Sequence, residues 1–193
     1  MWSLHNHSDY SNASLGFADT INKLEDLILR AKEIGLKGIC ITDHECLSAH
    51  YKAQVLSQKY DFPVALGNEI YLQSPEDYEE AKENYKSGIT YYPHFILIAI
   101  DDIGHEQLRQ LSSIAWKDNS YWAGGILRRP TKTIDIEKII GGNKGHIIAS
   151  TACLGSFFAH KVLQLINAEI AKNEDIIYDI KNQSLVLPRS DKV

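Results

Sequence analysis

Apolar and polar positions fall into alternating blocks of two kinds. Continuous apolar runs of strand length, "KGICIT", "FPVALGNEIYL", "HFILIAI" and "GHIIAST", are separated by stretches with helical periodicity. In "INKLEDLILRAKEIG", Leu24, Leu27, Ile28 and Ala31 recur at i, i+3, i+4 and i+7, with Asn22 and Glu25 as a cap pair and Gly35 as the stop. "LSAHYKAQVLSQKY" predicts a second helix, and "GHEQLRQLSSIAWKD" places Leu108, Leu111 and Ala115 on one helical face. "SPEDYEEAKENYKSG" reads as a loop or an exposed helix, "YWAGGILRRPTK" as an irregular insert, and "IDIEKIIGG" as a short helix. "LGSFFAHKVLQLINAEIAKN" is a further helix, and beyond about Asn173 the pattern weakens.

The opening "MWSLHNH" adds a short strand that ends at its histidines, so strands alternate with helices five times. Strands apolar throughout fit a parallel sheet covered on both faces. Right-handed crossovers then give an open doubly wound sheet or a barrel.

Bulk properties narrow this picture only slightly. A chain of 193 residues fits one domain, with 44% hydrophobic and 23% charged residues, as in a soluble globular protein. A net charge of -5 gives no general basic footprint for duplex binding, although a local patch is compatible with it. The apolar runs are too short to span a membrane, and polar residues interrupt the first thirty positions, so neither a membrane span nor a signal peptide is expected. The three cysteines, Cys40, Cys46 and Cys153, form no disulfide framework and suit a reducing, cytoplasmic setting.

The placement of the polar residues carries more. His5 and His7 end the first strand, Asp43 and His44 the second, Glu69 lies in the third, and Cys153 follows the fifth. Sites in parallel α/β folds form at the carboxyl ends of strands. In extended chain His5 and His7 point the same way, so both can grip one ion. Imidazole and carboxylate suit Zn, Mn or Fe, and a glutamate can bridge two ions. Such ions would make hydroxide from water and clamp a phosphate oxygen. Each residue alone has a plainer reading: a chance H-x-H, an Asx turn at "TDH", an exposed Glu69, a core Cys153. Their order and shared position favour the joint reading.

Taken in order, "LHNHSDYS", "GICITDH", "LGNEIYL", "PHFILIAI" and "LSSIAW…IIASTACLGS" resemble the PHP (polymerase and histidinol phosphatase) domain over about residues 2–158. The resemblance is to the branch at the N-terminus of bacterial DNA polymerase III alpha subunits. It implies a distorted seven-stranded (β/α) barrel with two or three divalent ions, Zn or Mn, at its C-terminal face. It also implies phosphoester hydrolysis, in some members a 3′-5′ exonuclease, and in others a scaffold without ligands. By the same resemblance the metal ligands are His5, His7, His44, Glu69, His94 and Cys153. The family aspartate falls at Ser14, but Asp19 stands seven residues before Asp26 as that aspartate does before its helix, so a loop insertion makes Asp19 the ligand. A helix-start acid is the other reading of Asp19, and Asp9 is a second candidate. His94 starts its apolar run, so strand-end logic places it away from the site.

A closing "D-x-H" motif is expected later, but Asp191 is followed two residues on by Val193. The implied organisation is a PHP domain at 1–172, incomplete before its last metal motif, and an extension at 173–193. His50, His105, His146 and His160 are read as outside the site. Asp43 is a candidate for orienting a ligand. Arg128 and Arg129 read as a solvated basic loop or phosphate contacts, and Trp116, Tyr121 and Trp122 as packing or base-stacking residues. Three functions follow: a phosphoesterase acting on a DNA 3′ terminus beside polymerase domains of the same or a companion chain, a non-catalytic scaffold of a polymerase, or a small-molecule phosphatase. The chain has no room for a polymerase active site.

Overall fold

The computed structural model describes residues 1–16, 18–84, 92–123, 125–153, 156–170, 177–179 and 184–186. Its main sheet has six strands. In spatial order β1 (Trp2–Ser3), β2 (Gly38–Ile41), β3 (Val64–Gln73), β4 (His94–Ala99) and β8 (Ile147–Thr151) lie side by side, and β7 (Thr131–Lys132) pairs with β3. β1, β2 and β3 are parallel, whereas β4 runs antiparallel to both β3 and β8. The all-parallel expectation is therefore corrected to a mixed sheet. A strand with both faces buried reads as the same apolar run in either direction, so composition alone could not orient "HFILIAI".

Helices cover one face of the sheet, which corrects the second half of that expectation. Ile39, Ile41 and Leu66 point toward α2 (Leu24–Glu33) and α3 (His50–Tyr60), and pack with the buried Leu24, Ile28, Ala31, Ala53 and Leu56. On the same face, Ile70 and Leu97 meet Leu108 and Leu111 of α5 (Asp102–Lys117) and half-buried isoleucines of α6 (Thr133–Ile140). The intervening residues turn to the opposite face, because side chains alternate along a strand. There Cys40, Ile96 and Ile98 form a small core with Ala65 and Ala152. Glu69, Tyr71 and His94 lie on this second face, at the level of the registers Glu69↔Ile96 and Tyr71↔His94.

Local signals explain most element ends. Asp101 caps α5 by accepting the Gly104 amide at 2.9 Å, and Gly35, just past α2, has φ +79°. The Asn22–Glu25 cap pair does not form. Lys23 occupies the cap position without a side-chain bond, and Glu25 instead accepts from Lys59 and Tyr60 of α3. The acidic stretch is helix α4 (Pro75–Asn84), anchored by buried Tyr78 and Ala81. The "irregular insert" is ordered. β5 (Tyr121–Ala123) and β6 (Ile126–Arg128) form an antiparallel hairpin, and Thr131–Lys132 join β3 as β7. Helix α1 (Tyr10–Leu15) follows the first histidines, and α7 (Phe157–Ile170) follows β8. A small antiparallel pair, β9 (Ile177–Asp179) and β10 (Ser184–Val186), lies beyond Asn173. The "LPRSDKV" segment with Asp191 lies outside the described residues, as do the side chains of Ser14 and His160.

Candidate metal centre

The middle residue of "HNH" explains the outer two. Asn6 turns away from the site and is sewn to the neighbouring strand. Its side-chain amide donates to the carbonyls of Ser3 at 3.0 Å and Cys40 at 2.9 Å. Its backbone amide donates to Thr42 Oγ1 at 3.1 Å, and its carbonyl accepts from the Thr42 amide at 2.9 Å. With Asn6 fixed, His5 and His7 project to the other side, as the period of two requires.

They converge on Glu69. His5 Nε2 and His7 Nε2 lie 2.6 and 2.9 Å from Glu69 Oε2, and 2.9 Å from each other. His94 Nδ1 lies 2.5 Å from the other oxygen, Oε1. His44 Nδ1 is 3.9 Å from Oε2, and His44 Nε2 is 3.6 Å from Asp19 Oδ2. The His7 and His44 rings stack at 4.3 Å. Cys153 Sγ lies 3.5 Å from His94 Nδ1. All seven residues singled out from the sequence thus share one locality. Three triads have their donor atoms within 4.8 Å of one another: His5–His7–Glu69, His7–Asp19–His44 and His44–Glu69–His94.

The antiparallel β4 resolves the placement of His94. Because β4 runs opposite to β3, its first residue sits at the same end of the sheet as the last residues of β1 and β2. β8 runs parallel to β3, so its carboxyl end brings Cys153 to that end as well. Asp19 reaches the site through Asn12 of α1, whose side-chain oxygen accepts the amides of Asp19 and Thr20 at 2.7 and 3.0 Å. Asp19 is therefore held in the loop before α2 and does not serve as that helix's first-turn acid. Asp9 belongs to none of the triads.

The donor set fits divalent cations. Glu69 is 1% exposed, and Oε1 has no aligned hydrogen-bond donor among the described residues although His94 touches it. Burial alone would raise its pKa, but the three histidine contacts outweigh burial and hold it well below the usual carboxylate range. Burial is also the main influence on His44, and it pushes the imidazole down to about 4, with His7 and His94 adding to the effect. A neutral His44 keeps the lone pair of one ring nitrogen available at neutral pH. For His7, burial lowers the pKa, but Glu69, Asp43 and Asp19 outweigh it and raise the value. Imidazole nitrogens pointing at one another and at a buried carboxylate repel unless a proton or cation lies among them.

Asp43, a candidate from the sequence for orienting a ligand, is bonded to the loop that carries His7. Its carboxylate accepts the Ser8 amide at 2.6 Å, the Ser8 hydroxyl at 2.7 Å and the Ser11 hydroxyl at 3.0 Å, and Ser11 Oγ lies 3.3 Å from His7 Nδ1. The remaining histidines with described side chains lie elsewhere. His50 is buried, between the Gly67 carbonyl at 2.9 Å and His105 at 3.0 Å, and His146 pairs with Asp101 at 2.7 Å.

Two features escaped the sequence. Tyr71, two residues past Glu69 on the same face, stacks on His94 at 4.8 Å, and its hydroxyl lies 3.5 Å from His44 Nδ1. Strand periodicity alone would have found it. Glu45, with φ +51°, donates its amide to the Glu69 carbonyl at 2.8 Å and accepts Trp116 Nε1 on its own carbonyl at 2.7 Å. Its buried carboxylate accepts the Arg129 amide at 3.1 Å and faces the Arg129 guanidinium at 3.9 Å, which in turn stacks on Trp116. The arginine pair is thus no solvated loop, because Arg129 is buried. Burial pushes the Glu45 carboxyl up to about 7, against the lowering pull of both arginines.

The PHP domain family matches residues 3–183. A DNA-directed DNA polymerase of Bacillus phage SPbeta is 46% identical over 160 residues, covering 79% of this chain and 12% of its own length. The DNA polymerase III subunit alpha of Aquifex aeolicus is 31% identical over 153 residues, covering 78% of this chain and 12% of its own. Of solved structures, an amidohydrolase from Chromobacterium violaceum is similar over 58% of this chain and 34% of that one, at a TM-score of 0.38 and 17% identity. The chain therefore spans about 12% of the length of the curated relatives it matches. Among the described residues no helix is long and apolar enough to cross a membrane. A His/carboxylate cluster gathered at one end of the sheet, a family match over nearly the whole chain, and relatives sharing up to 46% of its residues lead to one conclusion: the chain belongs to the PHP domain family.

Proposed function

We propose that the chain is a metal-dependent phosphoester hydrolase module that acts on the 3′ terminus of DNA. The carrying observation is the set of three overlapping triads sharing His7, His44 and Glu69, which offers sites for two or three ions with Glu69 between them. Bound Zn or Mn would supply Lewis acidity toward a phosphoryl oxygen and lower the pKa of water. The protein's own part is positional. His5, His7, Asp19, His44, Glu69, His94 and Cys153 would hold the ions, Asp43 fixes His7 through Ser11, and Glu45 ties the His44 turn to β3. In this reading the described sheet is part of a seven-stranded barrel, and polymerase domains of the same or a companion cytoplasmic chain are its partners. The relatives' names, all DNA polymerases, support a polynucleotide over a small phosphomonoester.

Two measurements on purified protein test this. Metal analysis should find at least two ions per chain, and Mn or Zn should elicit nucleotide release from single-stranded DNA. His7→Ala should abolish that release. Full metal occupancy without release would leave a non-catalytic scaffold, and so would release unaffected by His7→Ala. Faster turnover of histidinol phosphate than of oligonucleotides would instead make it a small-molecule phosphatase.

A further inference from the structure

Arg128 and Arg129 are adjacent in sequence but differently employed. Arg129 is neutralised by Glu45 and packed on Trp116. The Arg128 guanidinium lies over the Tyr92 ring at 4.3 Å and the Tyr71 ring at 5.7 Å. Among the described residues it has no carboxylate within ion-pair distance, and its Nε is buried without a hydrogen-bond partner. The nearest buried acid whose titration it affects, Glu45, already bonds Arg129. A half-buried cation with an unused fork of donors is poorly solvated and unpaired, and such a group favours an anion.

Its position selects which anion. Tyr71 follows Glu69 by two residues on the same face of β3, and its ring stacks on His94, so Arg128, beside that ring, lies next to the cluster without belonging to it. The hairpin that carries Arg128 also sorts its aromatics. Tyr121 pairs directly with Arg128 in register and is buried, whereas Trp122, its neighbour on the alternate face, is 65% exposed. The arginine is therefore turned inward, toward Tyr71 and the cluster.

We infer that Arg128, backed by Tyr71 and Tyr92, is a subsite for a second phosphate of a single-stranded nucleic acid whose first phosphate lies at the metal centre. The inference rests on the hydrolase reading for the position of the first phosphate, but its binding test does not require turnover. Arg128 acts as a specificity residue: it favours a polynucleotide over any ester with a single phosphate.

The test compares wild type with Arg128→Ala, Arg128→Gln and Arg128→Lys. Binding of a fluorescein-labelled dT decamer is read by anisotropy, in chelator and in Mn. Arg128→Ala should weaken binding about tenfold in both conditions and reduce the salt slope by about 0.7, equally for dT, dC and dA decamers. Arg128→Lys, keeping a point charge without the fork, should fall between. In kinetics, kcat/KM should drop for the decamer and stay unchanged for the p-nitrophenyl ester of thymidine monophosphate. Should the alanine variant not fold, Arg128→Gln is read by the same measurements. Decamer binding equal to wild type overturns the subsite, and so does an equal loss on both substrates. If wild type cleaves neither substrate but binding still depends on Arg128, the hydrolase reading falls and the subsite stands.

Discussion

Asp43 shows how much of the site depends on residues that are not ligands. Three donors, the Ser8 amide and the Ser8 and Ser11 hydroxyls, point at its carboxylate from the loop that carries His7. Asp43→Asn turns an amide group toward one of these donors. Leaving a buried donor unsatisfied costs about 1–3 kcal/mol, which urea denaturation should register, and metal affinity at the His7 positions should fall with it. His50 gives a pH dependence away from the site. Burial pushes its imidazole from 6.5 down to about 4. Between those values the unfolded chain binds a proton that the folded one does not, so stability declines as pH falls from about 6.5 toward about 4. The slope approaches about 1.4 kcal/mol per pH unit for one such group. His50→Gln should flatten that part of a stability–pH curve, and an unchanged curve would contradict the assignment. At this scale the sequence was informative where chemistry is local: the ligand-type residues stand out because they interrupt apolar runs. Asn6 and Glu45 were not legible, since they act through Cys40 and Trp116, 34 and 71 residues away, and through backbone geometry, whereas Tyr71 was within reach of strand periodicity.

Among the elements, strand order and strand content were legible, but direction and pairing were not. "HFILIAI" has no directional mark, so the antiparallel setting of β4 emerged only from its registers with β3 and β8. The hairpin over Tyr121–Arg128 was missed because its arginines and glycines resemble a loop. What orders it is remote: Arg129 finds its counter-charge at Glu45, and Tyr121 packs edge-on against Tyr78 of α4. Helix α5 is held against the segment before β8 by close approach at Gly104. A Cβ there would sit 2.0 Å from the His146 carbonyl oxygen. Gly104→Ala must push the helix or the segment aside and should destabilise by about 1–3 kcal/mol, seen as a lowered Tm. The same substitution at Gly125, where nothing lies within 4 Å, meets only the strain of φ +84°.

For the whole molecule, the described residues leave apolar surface exposed at the β8 end of the sheet. Along β8, Ile148 is exposed, and α7 carries Phe158, Val162, Leu165 and Ile166 exposed at helical spacing. Val162 and Leu165 are both exposed, so Val162→Lys with Leu165→Lys should leave ΔG of unfolding within about 0.5 kcal/mol. Sedimentation should show less self-association for that variant, because a large apolar patch has been broken. A marked loss of stability would mean that the face is covered within the chain. The direction of β4 has a last consequence, for the order in which the molecule can be made. Every residue of the three triads lies between His5 and His94, and β4 hydrogen-bonds to β3 without help from β8. A ribosome that has released the chain as far as Ala99 has therefore delivered every residue of the three triads. If these triads hold ions as proposed, capture would be open from that point in synthesis, with Cys153 added afterwards.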